Sequence, residues 1–207
     1  MVRFEKLACQ EGYKLIAGVD EAGRGPLAGP VVAAAVIFPV DYQNSKINDS
    51  KRLSAVMRES LYDVIRNDAI AVGVGIADTD VIDKINILQA SLQAMREAVL
   101  DLAKPVEFLL VDGLYRVALP VPQKPIVKGD SLSVSIAAAS IIAKVSRDRI
   151  MDDYHRQFPQ YDFKKKKGYG TKKHCEAIRE FGLCKIHRRS FHLKNQDGIQ
   201  KALDLAE

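Results

Sequence analysis

Four acidic residues follow short apolar runs of the sequence, at points where strands are expected to end. Asp20 and Glu21 follow the run L-I-A-G-V, Asp112 follows F-L-L-V, and Asp130 follows P-I-V-K-G. Since the strand ends of one sheet can lie side by side, we expect these carboxylates to converge. Converging carboxylates repel one another unless a cation neutralises them, and Mg²⁺ favours carboxylate oxygens together with water and phosphate. Two such ions roughly 4 Å apart would polarise a phosphodiester, activate water and stabilise the leaving oxygen.

Two considerations weigh against this interpretation. A single acidic residue at a strand end is more often an ordinary solvated loop residue, because loops begin there; three such ends favour a shared site. Neighbouring residues of a strand also point to opposite faces, so Asp20 and Glu21 cannot both point inward from a regular strand. We therefore expect the backbone to bend at this pair, helped by Gly23 and Gly25 just beyond it.

The elements that would position these carboxylates alternate between strands and helices. Apolar and alternating runs predict strands at 14–19, 31–38, 70–77, 107–113 and 125–130. Capping and periodicity predict helices from Ser54 to about Arg66, and at 86–103, 133–158 and 171–181. One apolar stripe of the second helix is predicted to face the core, formed by Leu88, Leu92, Met95, Val99 and Leu102. This order favours one α/β domain with a mixed sheet, spanning 1–207, with a basic helical region from about residue 160.

Composition is typical of a globular protein in a reducing compartment. Of the 207 residues, 47% are hydrophobic and 28% are charged, enough to form a core. No apolar run approaches the roughly 20 residues that a membrane span needs, and the N-terminus has no apolar signal region. Three cysteines, Cys9, Cys175 and Cys184, are too few for a disulfide framework. We expect a cytoplasmic protein that does not bind a membrane.

The charge is distributed unevenly along the chain, although its net value is only +5. Residues 144–207 carry 16 basic and nine acidic side chains, which leaves 15 basic and 17 acidic side chains in 1–143. A basic C-terminal third on a weakly acidic body indicates a polyanionic partner contacted from one side. A solvated basic surface without a partner is an equally good interpretation of charge alone.

Other motifs are weaker. His174, Cys175, Cys184 and His187 lack the usual spacing of a zinc site, so structural zinc is disfavoured. The glycines fit neither phosphate-binding loop consensus. Taken alone, the glycines that flank Arg24 would indicate only a tight turn.

An ordered set of motifs resembles one family, the type 2 ribonucleases H, also called ribonuclease HII. The first motif is G-V-D-E-A-G-R-G-P at 18–26. It is followed in order by N-D-S-K at 48–51, N-I-L at 86–88, V-D-G at 111–113 and K-G-D at 128–130. The last three motifs are A-A-S-I-I-A-K-V-S-R-D at 138–148, K-G-Y-G-T at 167–171 and H-R-R-S-F at 187–191. Type 3 relatives carry an extra N-terminal domain and a G-K-G variant, whereas this chain is short and has G-R-G. Each motif alone is weak, but the ordered set is specific and spans nearly the whole chain.

The resemblance implies a ribonuclease H-like fold, a mixed sheet flanked by helices with a small C-terminal helical region. It implies metal-dependent endonucleolytic cleavage of RNA in RNA–DNA hybrids. It also implies incision 5′ of single ribonucleotides in duplex DNA, leaving 3′-hydroxyl and 5′-phosphate ends, as in ribonucleotide removal during replication and repair. The implied metal ligands for Mg²⁺ or Mn²⁺ are Asp20, Glu21, Asp112 and Asp130.

Further residues are expected to bind the nucleic acid. The resemblance implies that Gly23, Arg24 and Gly25 contact the ribose 2′-hydroxyl and that Tyr169 stacks on the next deoxyribose. Other expected substrate-binding residues are Lys51, Arg188 and Arg189. The two arginines suit phosphates in kind, but bracing a neighbouring element is an equally good interpretation. We expect a monomer. A non-catalytic hybrid-binding module is the alternative function, against which the four intact acidic positions argue.

Overall fold

Residues 1–191, which the structure describes, contain five strands in this computed structural model: β1 Ile16–Ala22, β2 Val31–Ile37, β3 Ala71–Ala77, β4 Phe108–Asp112 and β5 Gln123–Ile126. They form a mixed sheet in the order β3-β2-β1-β4-β5. The pairs β1–β2 and β2–β3 are antiparallel, whereas β1–β4 and β4–β5 are parallel. The predicted α/β class with a mixed sheet is confirmed.

The helices of the described residues are α1 Arg3–Gln10, α2 Ala55–Asp68, α3 Thr79–Leu100, α4 Val134–Gln157, α5 Phe163–Lys166 and α6 Lys172–Phe181. Helices α3 and α4 cover opposite faces of the sheet. Four of the helices begin after a residue whose side chain accepts a first-turn N–H: Ser54, Asp78, Ser133 and Thr171. Ser54 thus caps α2 as predicted. Within the described part of the chain, no helix is long and apolar enough to cross a membrane.

The sheet separates two cores because successive strand residues point to opposite faces. On β2, Ala33, Ala35 and Ile37 pack into the core shared with α3, while Ala34 and Val36 pack into the core shared with α4. A nearly all-apolar strand is therefore what a sheet covered on both faces requires.

Glycines on two strands bring the helices into direct contact with the sheet backbone. A Cβ at Gly75 would lie 2.1 Å from the carbonyl oxygen of Ala94 on α3. A Cβ at Gly18 would lie 2.1 Å from the backbone carbonyl carbon of Ser135 on α4. Since no side chain fits at either position, both helices pack at backbone distance. Helix α4 is thereby held against β1 two residues before Asp20.

The C-terminal part packs as a smaller third cluster. Its apolar side chains include Tyr161, Phe163 and Ile178, and they enclose Ala28 and Met151 from the main body. The predicted C-terminal helical region is therefore present up to Phe191. The stretch of that region after Phe191 lies outside the described residues.

The predicted apolar stripe of α3 faces the core only in part. Met95, Val99 and Leu102 are buried, but Leu88 is half-buried and lines a cleft beside the carboxylates. The side that contacts the β3 glycines consists of small residues instead, namely Ala90, Ala94 and Ala98. Alanines give a weak hydrophobic signal, which is why periodicity indicated the neighbouring stripe.

The bounds of α3 also differ from the prediction, since it begins at Thr79 rather than at residue 86. The backbone breaks at Asn86, which has a φ of 68°, and its side chain accepts the N–H groups of Leu88 and Gln89. Asn86 therefore caps the second half of the helix, which begins where the sequence predicted a helix start.

Two further elements differ from the prediction. Helix α1 was not predicted, because its buried side includes the carboxylate of Glu5, which obscures the apolar pattern. The strand predicted at 125–130 ends at Ile126, since Lys128 adopts a left-handed conformation and Gly129–Ser131 forms a 3-10 turn. Asp130 consequently precedes α4 instead of ending a strand.

Candidate active site

The parallel pairing of β1 with β4 brings the first two carboxylates together. Val19 pairs with Val111, so the residues that follow, Asp20 and Asp112, lie side by side at the carboxyl ends of neighbouring strands. Asp20 is 5% exposed. Oδ1 of Asp112 accepts a hydrogen bond from the N–H of Gly129 at 2.7 Å. The expected convergence of strand ends holds for this pair.

Glu21 lies on the opposite face of β1 from Asp20. Pairing of β1 with β2 continues as far as Ala22 and Val32, so the strand stays regular through both acidic residues. The predicted bend is therefore wrong. Asp20 faces α4, where Ser140 hydrogen-bonds it, and Glu21 faces the cleft beside α3. Their position at the strand end still leaves the two carboxylates within electrostatic range of each other.

Asp130 reaches the same edge from the 3-10 turn before α4. Its Oδ2 lies 3.8 Å from Nζ of Lys51, whose side chain is largely exposed. Asp49 was not predicted as part of this site, yet its side chain accepts the N–H of Lys51 and its charge acts on Asp130. The pair Lys51 and Asp130 thus joins the 48–51 motif to the carboxylate edge.

Burial and mutual repulsion raise the pKa of three of the four carboxyl groups. The pKa of Asp20 is raised well above its ordinary value by burial first, and then by the charges of Glu21 and Asp112. Burial likewise raises the pKa of Glu21, although Arg24 opposes the shift. Burial followed by repulsion from Asp112 raises the pKa of Asp130. The edge therefore carries more negative charge than its own surroundings compensate.

Each carboxylate has a separate neighbouring group. Two carboxylates accept backbone N–H groups: Asp20 accepts that of Glu21, and Asp112 accepts that of Gly129. The other two lie near cations: Glu21 is 3.3 Å from the Arg24 guanidinium, and Asp130 is 3.8 Å from Lys51. Across residues 1–191, no three His, Cys, Asp or Glu side chains are grouped as a metal site. The structure thus brings all four predicted carboxylates to one edge without placing them in a shared ligating arrangement.

The turn at residues 23–25 lies directly beside this edge. Gly23 has a φ of 103°, and a Cβ there would lie 2.1 Å from Nε of Arg147, so only glycine suits this position. Arg24 and Gly25 are exposed. A Cβ at Gly25 would lie 3.7 Å from the ring of Tyr169, which is itself 49% exposed. The turn and the tyrosine therefore face each other across a narrow cleft.

Two buried arginines hold this turn from behind. Arg147 on α4 donates to the carbonyl oxygens of Ala28 and Pro30, and also to that of Lys167. Arg188 is 1% exposed and donates to four carbonyl oxygens of the loop, those of Gly23, Arg24, Pro26 and Gly29. Burial lowers the pKa of Arg147 to about 10, and burial with repulsion from Arg147 lowers that of Arg188 to about 9.

The expectation that Arg188 contacts a phosphate is therefore wrong. Its guanidinium is shielded from solvent and satisfied by backbone carbonyls, so it acts as a brace for the turn at 23–25. Arg189 is exposed, and its backbone N–H bonds the carboxylate of Asp83. The side chain of Arg189 stays available for a phosphate.

Sequence reasoning missed three residues on one face of α4. Ser140, Lys144 and Arg147 are spaced by four and three residues, which places them on the same helical face, and all three line the cleft of the turn. The Ser140 hydroxyl lies 2.9 Å from that of Ser50. Their spacing was a usable signal, but the apolar residues around Ser140 made this part of the helix read as core.

Two clefts meet at Glu21 and Arg24. One, of about 250 Å³, lies between the 23–25 turn, Lys51 and Tyr169 on the α4 side of the sheet. The other, of about 370 Å³, lies on the α3 side, where Asp112 borders the exposed side chain of Tyr115. An extended chain could cross the carboxylate edge from one cleft to the other.

Comparison with known proteins agrees with this fold. A family model described as Ribonuclease HII matches residues 17–194. A ribonuclease HII of Syntrophus aciditrophicus (strain SB) is 66% identical over 195 residues, which cover 94% of this chain and 92% of that protein. The crystal structure of the ribonuclease H2 from Pyrococcus horikoshii OT3 has a TM-score of 0.74 at 23% identity, covering 92% of this chain and 97% of that chain. Bst-RNase HIII in complex with Mn²⁺ has a TM-score of 0.66 at 19% identity, covering 97% and 72% respectively.

The mixed sheet flanked by helices defines a protein of the ribonuclease H-like fold. The chain belongs to the ribonuclease HII family. It is a hydrolase that cleaves the RNA of RNA–DNA hybrids endonucleolytically. The assignment to type 2 rather than type 3 is confirmed.

The two neighbouring arginines provide a test of the bracing role. Arg188→Met removes four buried hydrogen bonds and leaves their carbonyls without donors, so we expect a loss of unfolding free energy of about 3 kcal/mol or more. Arg188→Lys recovers only part, because an ammonium cannot reach four carbonyls. Arg189→Met, at an exposed position, changes stability by roughly 0.5 kcal/mol or less. Urea unfolding measures all three, and equal effects of Arg188→Met and Arg189→Met would contradict the brace.

Proposed function

We propose that Asp20, Glu21, Asp112 and Asp130 hold divalent cations, Mg²⁺ or Mn²⁺, and that the cleft at 23–25 selects single ribonucleotides within duplex DNA. The enzyme then incises 5′ of the ribonucleotide and leaves 3′-hydroxyl and 5′-phosphate ends. One observation carries the proposal: the cleft of about 250 Å³ between the 23–25 turn and Tyr169 is bordered by Glu21 of the carboxylate edge.

The donor set at this edge suits a hard divalent cation. All four side chains offer carboxylate oxygens, the ligands that Mg²⁺ and Mn²⁺ prefer. Bst-RNase HIII, which shares the fold, has been crystallised with Mn²⁺. When bound, such cations polarise a phosphodiester and supply activated water. The protein contributes a preformed edge, since three of the proposed ligands lie on paired strands and the fourth, Asp130, lies on a turn anchored to Asp112 through Gly129.

The turn at 23–25 can read the sugar through its backbone. Glycines at both ends let the main chain approach a ribose closely, and only RNA offers a 2′-hydroxyl there as both donor and acceptor. Arg24 extends from the turn and stays within 3.3 Å of Glu21, next to where the scissile phosphate would lie. Lys51 presents a second exposed cation on the other side of the edge.

Tyr169 forms the opposite wall of the sugar cleft. Its half-exposed ring can pack on the deoxyribose that follows a single ribonucleotide, while the ribonucleotide itself contacts the turn. A ring that packs on a deoxyribose at this position stabilises a bound RNA–DNA junction more than the interior of a long hybrid, which has a ribose there.

Phosphates along the duplex have exposed cations available beyond the cleft. Arg189 is one, and the exposed lysines of residues 160–191 are Lys164, Lys165, Lys166, Lys172, Lys173 and Lys185. Lys167 differs from its neighbours, because its Nζ binds Asp152 and the carbonyl oxygen of Asp148. Lys167 is therefore not part of the exposed basic surface, unlike the other three lysines of the run 164–167.

We also propose that 1–207 works as one domain and as a monomer in the cytoplasm. All proposed site residues come from a single chain, so a second copy is not needed to complete the site. Three free cysteines agree with a reducing compartment.

Removal of one ligand tests the metal assignment. Asp112→Asn keeps size and removes charge, so hybrid binding should persist while cleavage falls by several powers of ten, equivalent to several kcal/mol of transition-state stabilisation. Single-turnover cleavage with Mg²⁺ or Mn²⁺ and fluorescence anisotropy measure the two effects. Asp41→Asn is the matched control at an exposed position away from the cleft. Cleavage by Asp112→Asn at the rate of the control would refute the assignment.

Two tyrosines of similar exposure, Tyr169 and Tyr115, test sugar selection. Tyr169→Ala should lower the ratio of cleavage at a single ribonucleotide to cleavage within a long hybrid, since a displacement of about 1 Å can cost on the order of 100-fold. Tyr169→Phe keeps the ring and should keep the ratio. Tyr115→Ala, in the α3 cleft, is the matched control and should not lower it selectively. A ratio unaffected by Tyr169→Ala would remove this residue from junction recognition.

A further inference from the structure

Two histidines of the C-terminal part form a buried pair that the proposed reaction does not use. The Nε2 atoms of His174, on α6, and His187 lie 3.0 Å apart, and the residues are 1% and 4% exposed. The rings of Tyr161 and Phe163 pack around both imidazoles. Two ring nitrogens at this distance require that one donates a proton and the other accepts it.

Contacts at the ends of the pair determine where each proton lies. Nδ1 of His187 accepts the N–H of Cys184 at 2.9 Å and lies 3.3 Å from the carbonyl oxygen of the same residue. Because the N–H contact is the shorter of the two, we assign the proton of His187 to Nε2. His187 then donates to Nε2 of His174, which leaves the proton of His174 on Nδ1. That N–H lies 3.0 Å from the carbonyl oxygen of Tyr169 and donates to it. The three bonds form one directed chain from Cys184 to Tyr169.

This chain requires both imidazoles to be neutral, and their surroundings favour neutrality. Burial lowers the pKa of His174, and burial followed by repulsion from His174 lowers that of His187 to about 4. The titratable neighbours are the Tyr161 hydroxyl and the Cys184 thiol, whose Sγ lies 3.2 Å from Nδ1 of His187. Burial raises the pKa of both neighbours, so neither adds a charge to the pair near neutral pH.

The chain ends on the main chain of the residue proposed to recognise the junction. The carbonyl oxygen of Tyr169 also accepts the N–H of Thr171 at 2.8 Å, and its own N–H donates to Lys166 at 2.9 Å. The backbone of Tyr169 is therefore held on both sides, while its ring stays exposed to the cleft. The N–H of His174 is the contact that comes from a buried side chain.

The histidine pair is also connected to the turn at 23–25, through the main chain. His187 is followed by Arg188, whose guanidinium holds the carbonyl oxygens of Gly23 and Arg24. One buried segment therefore anchors both walls of the sugar cleft, the turn through Arg188 and the tyrosine through the histidines.

We infer that the His174–His187 pair positions Tyr169 against the turn at 23–25 and so sets the preference for an RNA–DNA junction over a long hybrid. The inference rests on the proposed contact between Tyr169 and the deoxyribose. Both histidines are positioning residues, since neither reaches the cleft. A role in core packing alone would depend on side-chain volume, whereas this role depends on the N–H of His174 that faces Tyr169.

Two isosteric variants separate these possibilities. In His174→Asn the amide nitrogen occupies the place of Nδ1 and can still donate to Tyr169. In His174→Gln the polar atoms occupy the place of Nε2, so the contact with His187 can remain while the donor to Tyr169 is lost. We expect His174→Gln to lower the junction-to-hybrid cleavage ratio on the order of tenfold, part of the roughly 100-fold that a 1 Å displacement can cost. His174→Asn should keep most of the wild-type ratio.

The same assay includes Tyr169→Ala as a reference, with urea unfolding of every variant. A lowered ratio for Tyr169→Ala and His174→Gln but not for His174→Asn supports the inference. Equal ratios for the two His174 variants, whether high or low, overturn it. An unchanged ratio for Tyr169→Ala instead refutes the proposed role of the tyrosine, and the inference falls with it.

A measurement that does not depend on cleavage distinguishes these failures. Long-range ¹H–¹⁵N spectra of the full chain report which imidazole nitrogen carries each proton. We expect the Nδ1–H tautomer for His174 and the Nε2–H tautomer for His187 at neutral pH. The opposite tautomer at either residue would interrupt the hydrogen bonds from Cys184 to Tyr169 and overturn the inference, whatever the cleavage ratios are.

Discussion

Parallel pairing of β1 with β4 forces Asp20 and Asp112 into adjacent positions at the carboxyl ends of the two central strands, and the rest of the site follows from this constraint. The side chains cannot move far apart, because the strands are covered on both faces and α4 contacts β1 at backbone distance. Burial first, and then the charges of Glu21 and Asp112, raise the pKa of Asp20. A rigid scaffold thus maintains an excess of negative charge that a divalent cation would relieve.

A second constraint concerns the walls of the sugar cleft, which come from distant parts of the chain. Arg147 and Arg188 together donate to seven backbone carbonyls of the glycine-rich loop and the 167–169 segment. Buried guanidinium groups suit this role because each offers five donors in a fixed plane. The shape of the proposed sugar cleft therefore depends on these buried arginines as much as on the residues that line it.

Local signals predicted much of this structure, and long-range packing accounts for most of what they missed. The Ser54 cap, the apolar strand β2 and the end of β4 at Asp112 were all recognisable. The break at Asn86 also agreed with the predicted helix start. Residue type alone could not decide whether Arg188 is exposed or buried, because its partners lie about 160 residues away. For the same reason the regular strand through Glu21 was missed, since it depends on pairing with β2.

The central claim is that the four carboxylates at the ends of the sheet form the metal site of the nuclease. Anomalous diffraction from crystals grown with Mn²⁺ tests it most directly, because the signal locates the ion without reference to activity. The account predicts anomalous density among Asp20, Glu21, Asp112 and Asp130. Density at His174, Cys184 and His187 with none at the carboxylates would contradict it.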